Sequence, residues 1–468
     1  MPNSREPINF LFLWRICLVA AMGGLLFGYD WVVVGGARPF YEAYFQLDSP
    51  RLQGWGASSA LAGCLIGAMI SGLSSDRYGR KRLLLVSAFL FTTSSIATGL
   101  AWNFAWYNVF RIAGGVGIGL ASNLSPMYIA EVSPAHVRGR FVTANQLTIV
   151  IGVLLAQTAN WLISRHGQPL AADGAAVSLL QTWNAQYGWR WMFGITALPA
   201  LAFFLLMVFV PESPRWLIKN GRDELAEQIL TRIGGAAHAR SEMEDIKRTL
   251  AENEIAQVNY RDLFEPKLAK VILIGIVLAV YQQWCGINVI FYYSADIFKA
   301  AGYDLQGVML NIVITGAVNL AFTFVAIGTV DRLGRKVLML AGSAGLVLTY
   351  ALIGLAFHLE KTGFIVVLLC IMAIGFYSFS LAPVTWVLLS EIFPNRIRGA
   401  AMSIAVFSLW LGCFTLSYSF PSLNAGLGPA ITFWLYGAIC AAGFIFIWRV
   451  LPETKGKTLE EIERIMMG

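Results

Sequence analysis

Asp76-Arg77-Tyr78-Gly79-Arg80-Lys81 returns 255 residues later as Asp331-Arg332-Leu333-Gly334-Arg335-Lys336, with one position changed. A second motif, Glu131-Val132-Ser133-Pro134 with Arg138-Gly139, returns after 260 residues as Glu391-Ile392-Phe393-Pro394 with Arg398-Gly399. Two separate motifs duplicated at nearly one offset imply two related halves. Both copies of the first motif follow a long apolar run, which places the repeat at the ends of membrane-crossing helices.

The composition agrees. Of 468 residues, 57% are hydrophobic and 13% charged, whereas soluble domains carry about a quarter charged residues. A spanning helix takes roughly 20 mainly apolar residues. Twelve spans are expected, near 12–36, 55–75, 83–101, 104–130, 139–163, 189–210, 269–298, 307–330, 337–358, 363–390, 398–422 and 428–450. The expected fold is therefore an all-α membrane protein of two pseudo-symmetric six-helix halves, residues 1–210 and 269–450. A cytoplasmic linker, 211–268, holds short amphipathic helices, and 451–468 form a tail. The first run continues past Gly28 without a small-residue cleavage site, so it reads as a span rather than a signal peptide.

An even count puts both termini on one side. Of 34 Lys and Arg, all but Arg38, Arg51, Arg165, Arg190, Lys299, Lys361 and the intramembrane Arg111 fall on the side of the termini and the long linker. The positive-inside rule makes that side cytoplasmic. The net charge of +7 is thereby dispersed over alternate loops, not gathered with aromatics as a nucleic-acid surface would be. In the linker, Ser213-Pro214 suits a helix start; in the tail, Thr458 and Glu461 have capping-box spacing.

The six cysteines lie in apolar runs without paired spacing and read as packed thiols. The four histidines are scattered. No nucleophile–base set, metal cluster, phosphate loop or nucleotide-binding domain is found, so neither an enzyme nor ATP drive is expected, and no cofactor. Gly115-Val116-Gly117-Ile118-Gly119 superficially suggests a dinucleotide loop, but within an apolar span it reads as a close helix contact.

Asp30 and Arg111 are ionisable residues well inside spans, which is costly and marks function. Asp30 is the candidate carrier of a coupled proton, with Arg111 modulating its affinity; a permanent structural ion pair is the alternative. Asp76 with Arg77 and Arg80, Glu131 with Arg138, and their repeats Asp331 with Arg332 and Arg335, and Glu391 with Arg398, supply charges at the cytoplasmic helix ends. They are candidate latches between the halves. Topology anchoring explains the arginines alone but not the paired acids.

With these residues the chain resembles the sugar porters of the major facilitator superfamily over essentially its whole length, most of all bacterial xylose– and hexose–proton symporters. The resemblance rests on Gly23-Gly24-Leu25-Leu26-Phe27-Gly28-Tyr29-Asp30, the Asp-Arg-x-Gly-Arg-Lys pair, and Arg111 with Gly114, Gly115, Gly117 and Gly119. Further matches are Pro211-Glu212-Ser213-Pro214-Arg215-Trp216, Gln282-Gln283 with Gly286-Ile287-Asn288, and Pro452-Glu453-Thr454. It implies alternating access around a midplane site between the halves, and a coupled proton on Asp30. It also implies sugar contacts from the amides Gln146, Gln282, Gln283, Asn288 and Asn319 and from the indoles Trp386 and Trp410. Phe27, Tyr292 and Tyr293 are candidates to line or gate the cavity. Gln157 and Asn145 are further intramembrane amides, open between ligand contact and helix–helix glue.

The chain departs from the family's pattern at Leu409 and Cys413, where many members carry amides, and at Ala382-Pro383, where Gly-Pro is usual. Pentose, hexose, deoxysugar and polyol therefore remain open. The expected activity is proton symport of a monosaccharide by a monomer in a bacterial cytoplasmic membrane. A passive uniporter of the same fold and a non-transporting sugar receptor are the alternatives, although a 17-residue tail after Leu451 is short for a signalling output.

Overall fold

The computed structural model describes residues 8–166, 179–255, 265–361, 363–394, 397–457 and 459–467; the side chains of Asp331 and Arg398, and Thr458, lie outside the described residues. Every regular element among those described is helical. The first half holds α1 (Phe10–Phe45), α2 (Pro50–Tyr78), α3 (Arg80–Gly99), α4 (Phe104–Val132), α5 (Ala135–His166), and a sixth span. That span opens with a π-helical turn, Asn184–Gly188, and continues through α6 (Trp189–Gly194) and α7 (Ala197–Phe209). The linker forms α8 (Pro214–Lys219) and α9 (Asp223–Ile255).

The second half begins with a span in three pieces: α10 (Pro266–Trp284), α11 (Ile287–Tyr292) and α12 (Ser294–Ala300). It continues with α13 (Leu305–Leu333), α14 (Arg335–His358), a span split into α15 (Phe364–Phe379) and α16 (Leu381–Ile392), and α17 (Arg398–Val450). The tail carries α18 (Leu459–Met467).

Ten segments are long and apolar enough to cross a bilayer. Two features bring the count to twelve. α4 is 29 residues long, its apolar run diluted by Arg111 and several glycines. α17 has 53 residues, which as one straight rod would be about 80 Å long. Gly428, at φ +77°, breaks it, so α17 crosses twice.

Other boundaries differ from the sequence expectation. α1 runs well beyond residue 36 and passes through Pro39, because Arg38 is buried against other helices rather than marking an exit to water. The sixth span starts five residues early, in the π turn. In the linker, α8 begins under a Ser213 cap whose hydroxyl accepts the Trp216 N–H, and α9 kinks at Gly234 and Gly235.

Small residues let the helices close up. A Cβ at Gly115 or Gly119 of α4 would collide with the Ala60 or Cys64 carbonyl of α2, and one at Gly28 of α1 with the Ile149 carbonyl of α5. Backbones in van der Waals contact give dispersion energy that lipid tails cannot match. Across the halves, α2 packs on the first arm of α17, α5 on α13, and α1 on α11 and α12. The space these pairs enclose holds the site.

Candidate functional site

Arg111 Nη1 donates to Asp30 Oδ1 at 2.6 Å, and both side chains are buried. The guanidinium also lies 4.9 Å from the centre of the Phe193 ring. The second carboxylate oxygen, Asp30 Oδ2, has no hydrogen-bond partner among the described residues, and neither has Arg111 Nε. A buried carboxylate with one oxygen held and one free is chemically able to take up a proton without breaking its arginine contact.

Opposite α1, the break at Gly286 (φ +86°) separates α10 from α11. A side chain there would meet Tyr436 and the Tyr350 hydroxyl as well as backbone strain. The turn aligns three amides. Asn288 Nδ2 donates to Gln283 Oε1 at 2.6 Å, Gln283 Nε2 to Gln282 Oε1 at 3.1 Å, and Gln282 Nε2 to the Leu381 and Ala382 carbonyls, both at 3.1 Å. The ladder ends at the α15–α16 break. Both Gln282 N–H groups are thus used on backbone, which makes this amide chiefly a strut for the other two. Asn288 also approaches Cys413 Sγ at 3.5 Å.

Aromatic residues of α1 meet those of the second half. Phe27 meets the Trp410 ring edge-on at 5.5 Å, and Trp31 lies 5.3 and 6.1 Å from Phe291 and Tyr292. Asn288 Oδ1, Trp410 Nε1, Gln157 Oε1 and Asn145 Oδ1 are buried and unpartnered among the described residues. Gln157 Nε2 reaches Thr315 on α13 at 3.5 Å, across the halves. The other expected contacts are less closely joined. Asn319 Oδ1 accepts from the Ser378 hydroxyl at 2.7 Å, while Gln146 and Trp386 are half-buried.

On the face away from the linker, Arg38 closes the space between the halves. Its Nη1 meets Asp296 Oδ2 of α12 at 2.5 Å, its Nε meets Glu42 at 2.6 Å, and its guanidinium lies 4.2 Å over the Tyr293 ring. The Tyr293 hydroxyl donates to the Ser417 carbonyl at 2.6 Å. Reading the sequence did not single out Arg38, Glu42 and Asp296 as a group that meets across the halves. The available signal was the register: Arg38 lies eight residues after Asp30, on the same face of α1.

At the linker face Asp76 pairs with Arg80 as expected, but Glu131 does not take Arg138. Glu131 accepts from Arg80 Nη2 at 2.9 Å and from the Ser213 hydroxyl at 2.5 Å, whereas Arg138 is exposed. Spacing along α4 and α5 suggested the seven-residue pair, but the chain turns at Ser133-Pro134 and aims Glu131 at the neighbouring helix end. The second half repeats this, with Arg335 Nη2 on Glu391 at 3.2 Å. Asp76 holds Arg80 at 3.2 Å and Lys219 at 2.7 Å. Arg77 packs on Tyr78 and Arg332 is exposed. Each of these ion pairs lies within one half or ties it to the linker, so none of them joins the two halves as a latch would in its closed state.

Two more acids join by a route the repeat offsets concealed. Glu212 accepts the N–H groups of Arg80, Lys81 and Ser213, and Glu453 those of Arg335, Lys336 and Lys455. Each caps the helix that begins inside its half's Asp-Arg-x-Gly-Arg-Lys motif, where backbone N–H groups and the helix dipole favour an anion. Burial works upward on the Glu453 carboxyl, but those N–H groups outweigh it and hold it below the usual carboxylate value. Asp76 is likewise lowered: Lys219 and Arg80 overcome its partial burial.

A family model for "Sugar (and other) transporter" matches residues 16–466. The chain is 38% identical over 490 residues to the D-xylose-proton symporter of Escherichia coli (strain K12), covering 98% of this chain and 96% of that protein. It is 37% identical over 455 residues to the arabinose-proton symporter of Bacillus subtilis (strain 168), covering 97% and 95%. A partially occluded inward open structure of the xylose transporter XylE from E. coli superposes with a TM-score of 0.84 at 36% identity, covering 96% of this chain and 100% of that one. This chain belongs to the sugar transporter family.

Proposed function

We propose that the protein carries a monosaccharide across the membrane together with a proton, by alternating access. The observation that carries this reading is the buried Asp30–Arg111 pair with its free oxygen Asp30 Oδ2, together with further unpartnered polar atoms buried between the helices. An unpaired buried polar group costs about 1–3 kcal/mol. Sugar hydroxyls can donate to Asn288 Oδ1, Gln157 Oε1 and Asn145 Oδ1 and accept from Trp410 Nε1, while a sugar C–H face packs on the Phe27–Trp410 aromatic pair. Gln283, Gln146, Asn319 and Trp386 complete the site, with Gln282 as support. The named relatives transport pentoses with protons, which favours the same reaction class here.

The linker and both termini face the cytoplasm of a bacterium, and the chain acts as a monomer. The Arg38–Asp296 joint then closes the outer side in the state observed. Glu131, Arg80, Glu391, Arg335, Asp76 and Asp331, with the exposed Arg77, Arg138 and Arg332 and with Arg398, form the inner gate. On inward closure these clusters exchange partners across the halves.

The test is radiolabelled uptake into proteoliposomes of xylose, arabinose, glucose, galactose, fucose and a polyol, with and without an inward proton gradient. Gradient-dependent accumulation of one of them is expected. Equilibration indifferent to the gradient would make the protein a uniporter, and no binding or uptake of any would overturn the sugar reading.

A further inference from the structure

A cavity of about 450 Å³ opens at the linker face of the second half, lined by none of the residues of the candidate transport site. Its walls include Lys270 in the first turns of α10, Lys336 at the start of α14 and Arg449 at the end of α17, with Ile274, Leu451 and Met466 behind them. No acidic residue lines it. Lys336 Nζ donates to the Trp448 carbonyl at 2.8 Å, and no ion pair of Lys270 or Arg449 is present among the described residues. Glu453 is close in sequence, but its carboxylate is held by backbone N–H groups. Glu461 and Glu463 of α18 do not line the cavity.

The surroundings are those of a bilayer surface. Trp448 is 58% exposed and Ile465 47% exposed beside the charges, and exposed indoles at span ends sit at headgroup depth. The related corner of the first half has Arg15 and Lys81, 255 residues before Lys270 and Lys336, but lacks the third cation. There Lys81 Nζ donates to the Val208 carbonyl, as Lys336 does to that of Trp448. The residue after Val208 is the lipid-facing Phe209, where the second half has Arg449. A general need for inside-positive charge would not single out one half.

We propose that this cavity binds an anionic phospholipid, its phosphate among Lys270, Lys336 and Arg449 and its acyl chains along Ile274 and the exposed face of α17. On the orientation proposed above it draws the lipid from the cytoplasmic leaflet; the binding test does not depend on that orientation or on transport. Charges near an anionic surface contribute about 1 kcal/mol each, so loss of one weakens binding about fivefold and loss of two about thirtyfold.

The experiment is native mass spectrometry of the purified full-length protein in detergent. It is titrated with dioleoyl phosphatidylglycerol, dioleoyl phosphatidylcholine or inorganic phosphate, for wild type, K270Q, R449F, the double variant, and K81Q as a control of equal charge loss in the other half. Expected are one saturable phosphatidylglycerol preferred over phosphatidylcholine, about fivefold weakening in each single variant, about thirtyfold in the double, and none in K81Q. Melting without lipid should match wild type in all variants. Equal binding of the two lipids, or unchanged phosphatidylglycerol affinity in the double variant, would overturn the proposal. Displacement of the lipid by inorganic phosphate at comparable affinity would also overturn it, leaving a free-anion site.

Discussion

Asp296→Asn removes the charge that ties α12 to Arg38 while leaving the Arg38–Glu42 contact in place. Arg38 is buried to 4% side-chain exposure, whereas Asp296 is 46% exposed. Breaking a wholly buried ion pair costs about 3–5 kcal/mol, and an exposed one about 0–1 kcal/mol. With one partner in each regime, and with Glu42 still compensating Arg38, the closed outer side should lose about 1–2 kcal/mol. At 1.4 kcal/mol per factor of ten, the ratio of outward-open to outward-closed molecules should rise roughly five- to thirtyfold. Spin labels at Gln46 and Lys299, both exposed at that face on opposite halves, read this directly by pulsed dipolar spectroscopy. A longer-distance population should grow in Asp296→Asn without loss of the original one. An unchanged distance distribution would refute the role given to the Arg38–Asp296 joint.

Three other outcomes follow from particular contacts. Trp410→Phe keeps the aromatic face and removes the unpartnered Nε1 donor, so sugar affinity measured by calorimetry should fall by about 1–2 kcal/mol, with melting nearly unchanged. Asp76 has a folded pKa lowered below the ordinary aspartate value of 3.8, so its contribution is fully present above that value and fades as pH falls through the folded value. Asp76→Asn should therefore flatten the acid side of a stability–pH profile and leave its shape above pH 5 intact. Gly115→Ala places a Cβ against the Ala60 carbonyl. It should lower stability by about 1–3 kcal/mol, read as a lower melting temperature, where the same change at the open position Gly139 has no such effect.

Much of the architecture was legible because membranes simplify the code. Apolar length gave the spans, the duplicated Asp-Arg-x-Gly-Arg-Lys gave the halves, and the cost of burying Asp30 and Arg111 singled them out before any contact was known. What could not be read was which neighbour each side chain meets. Glu131 binds Arg80 from a different helix rather than Arg138 along the chain, since helix-end geometry decides the partner. Gln282 looks like its neighbours in sequence, yet it is engaged by the α15–α16 break, which depends on two distant segments meeting. Glu212 and Glu453 do the same job in each half but at another offset from the repeat, because the stretch between the fifth and sixth spans is longer than that between the eleventh and twelfth. Arg38 was placed outside the first span since charge normally ends one; here Asp296 and Glu42 neutralise it within the protein.

The claim on which the account rests is that Asp30 carries the coupled proton while the amides and indoles carry the sugar. It is tested most directly in proteoliposomes holding wild type or Asp30→Asn, comparing proton-driven accumulation with exchange of labelled for unlabelled sugar at zero gradient. The account predicts that accumulation above equilibrium is abolished in the variant while exchange persists. Accumulation by Asp30→Asn at the wild-type level would contradict it.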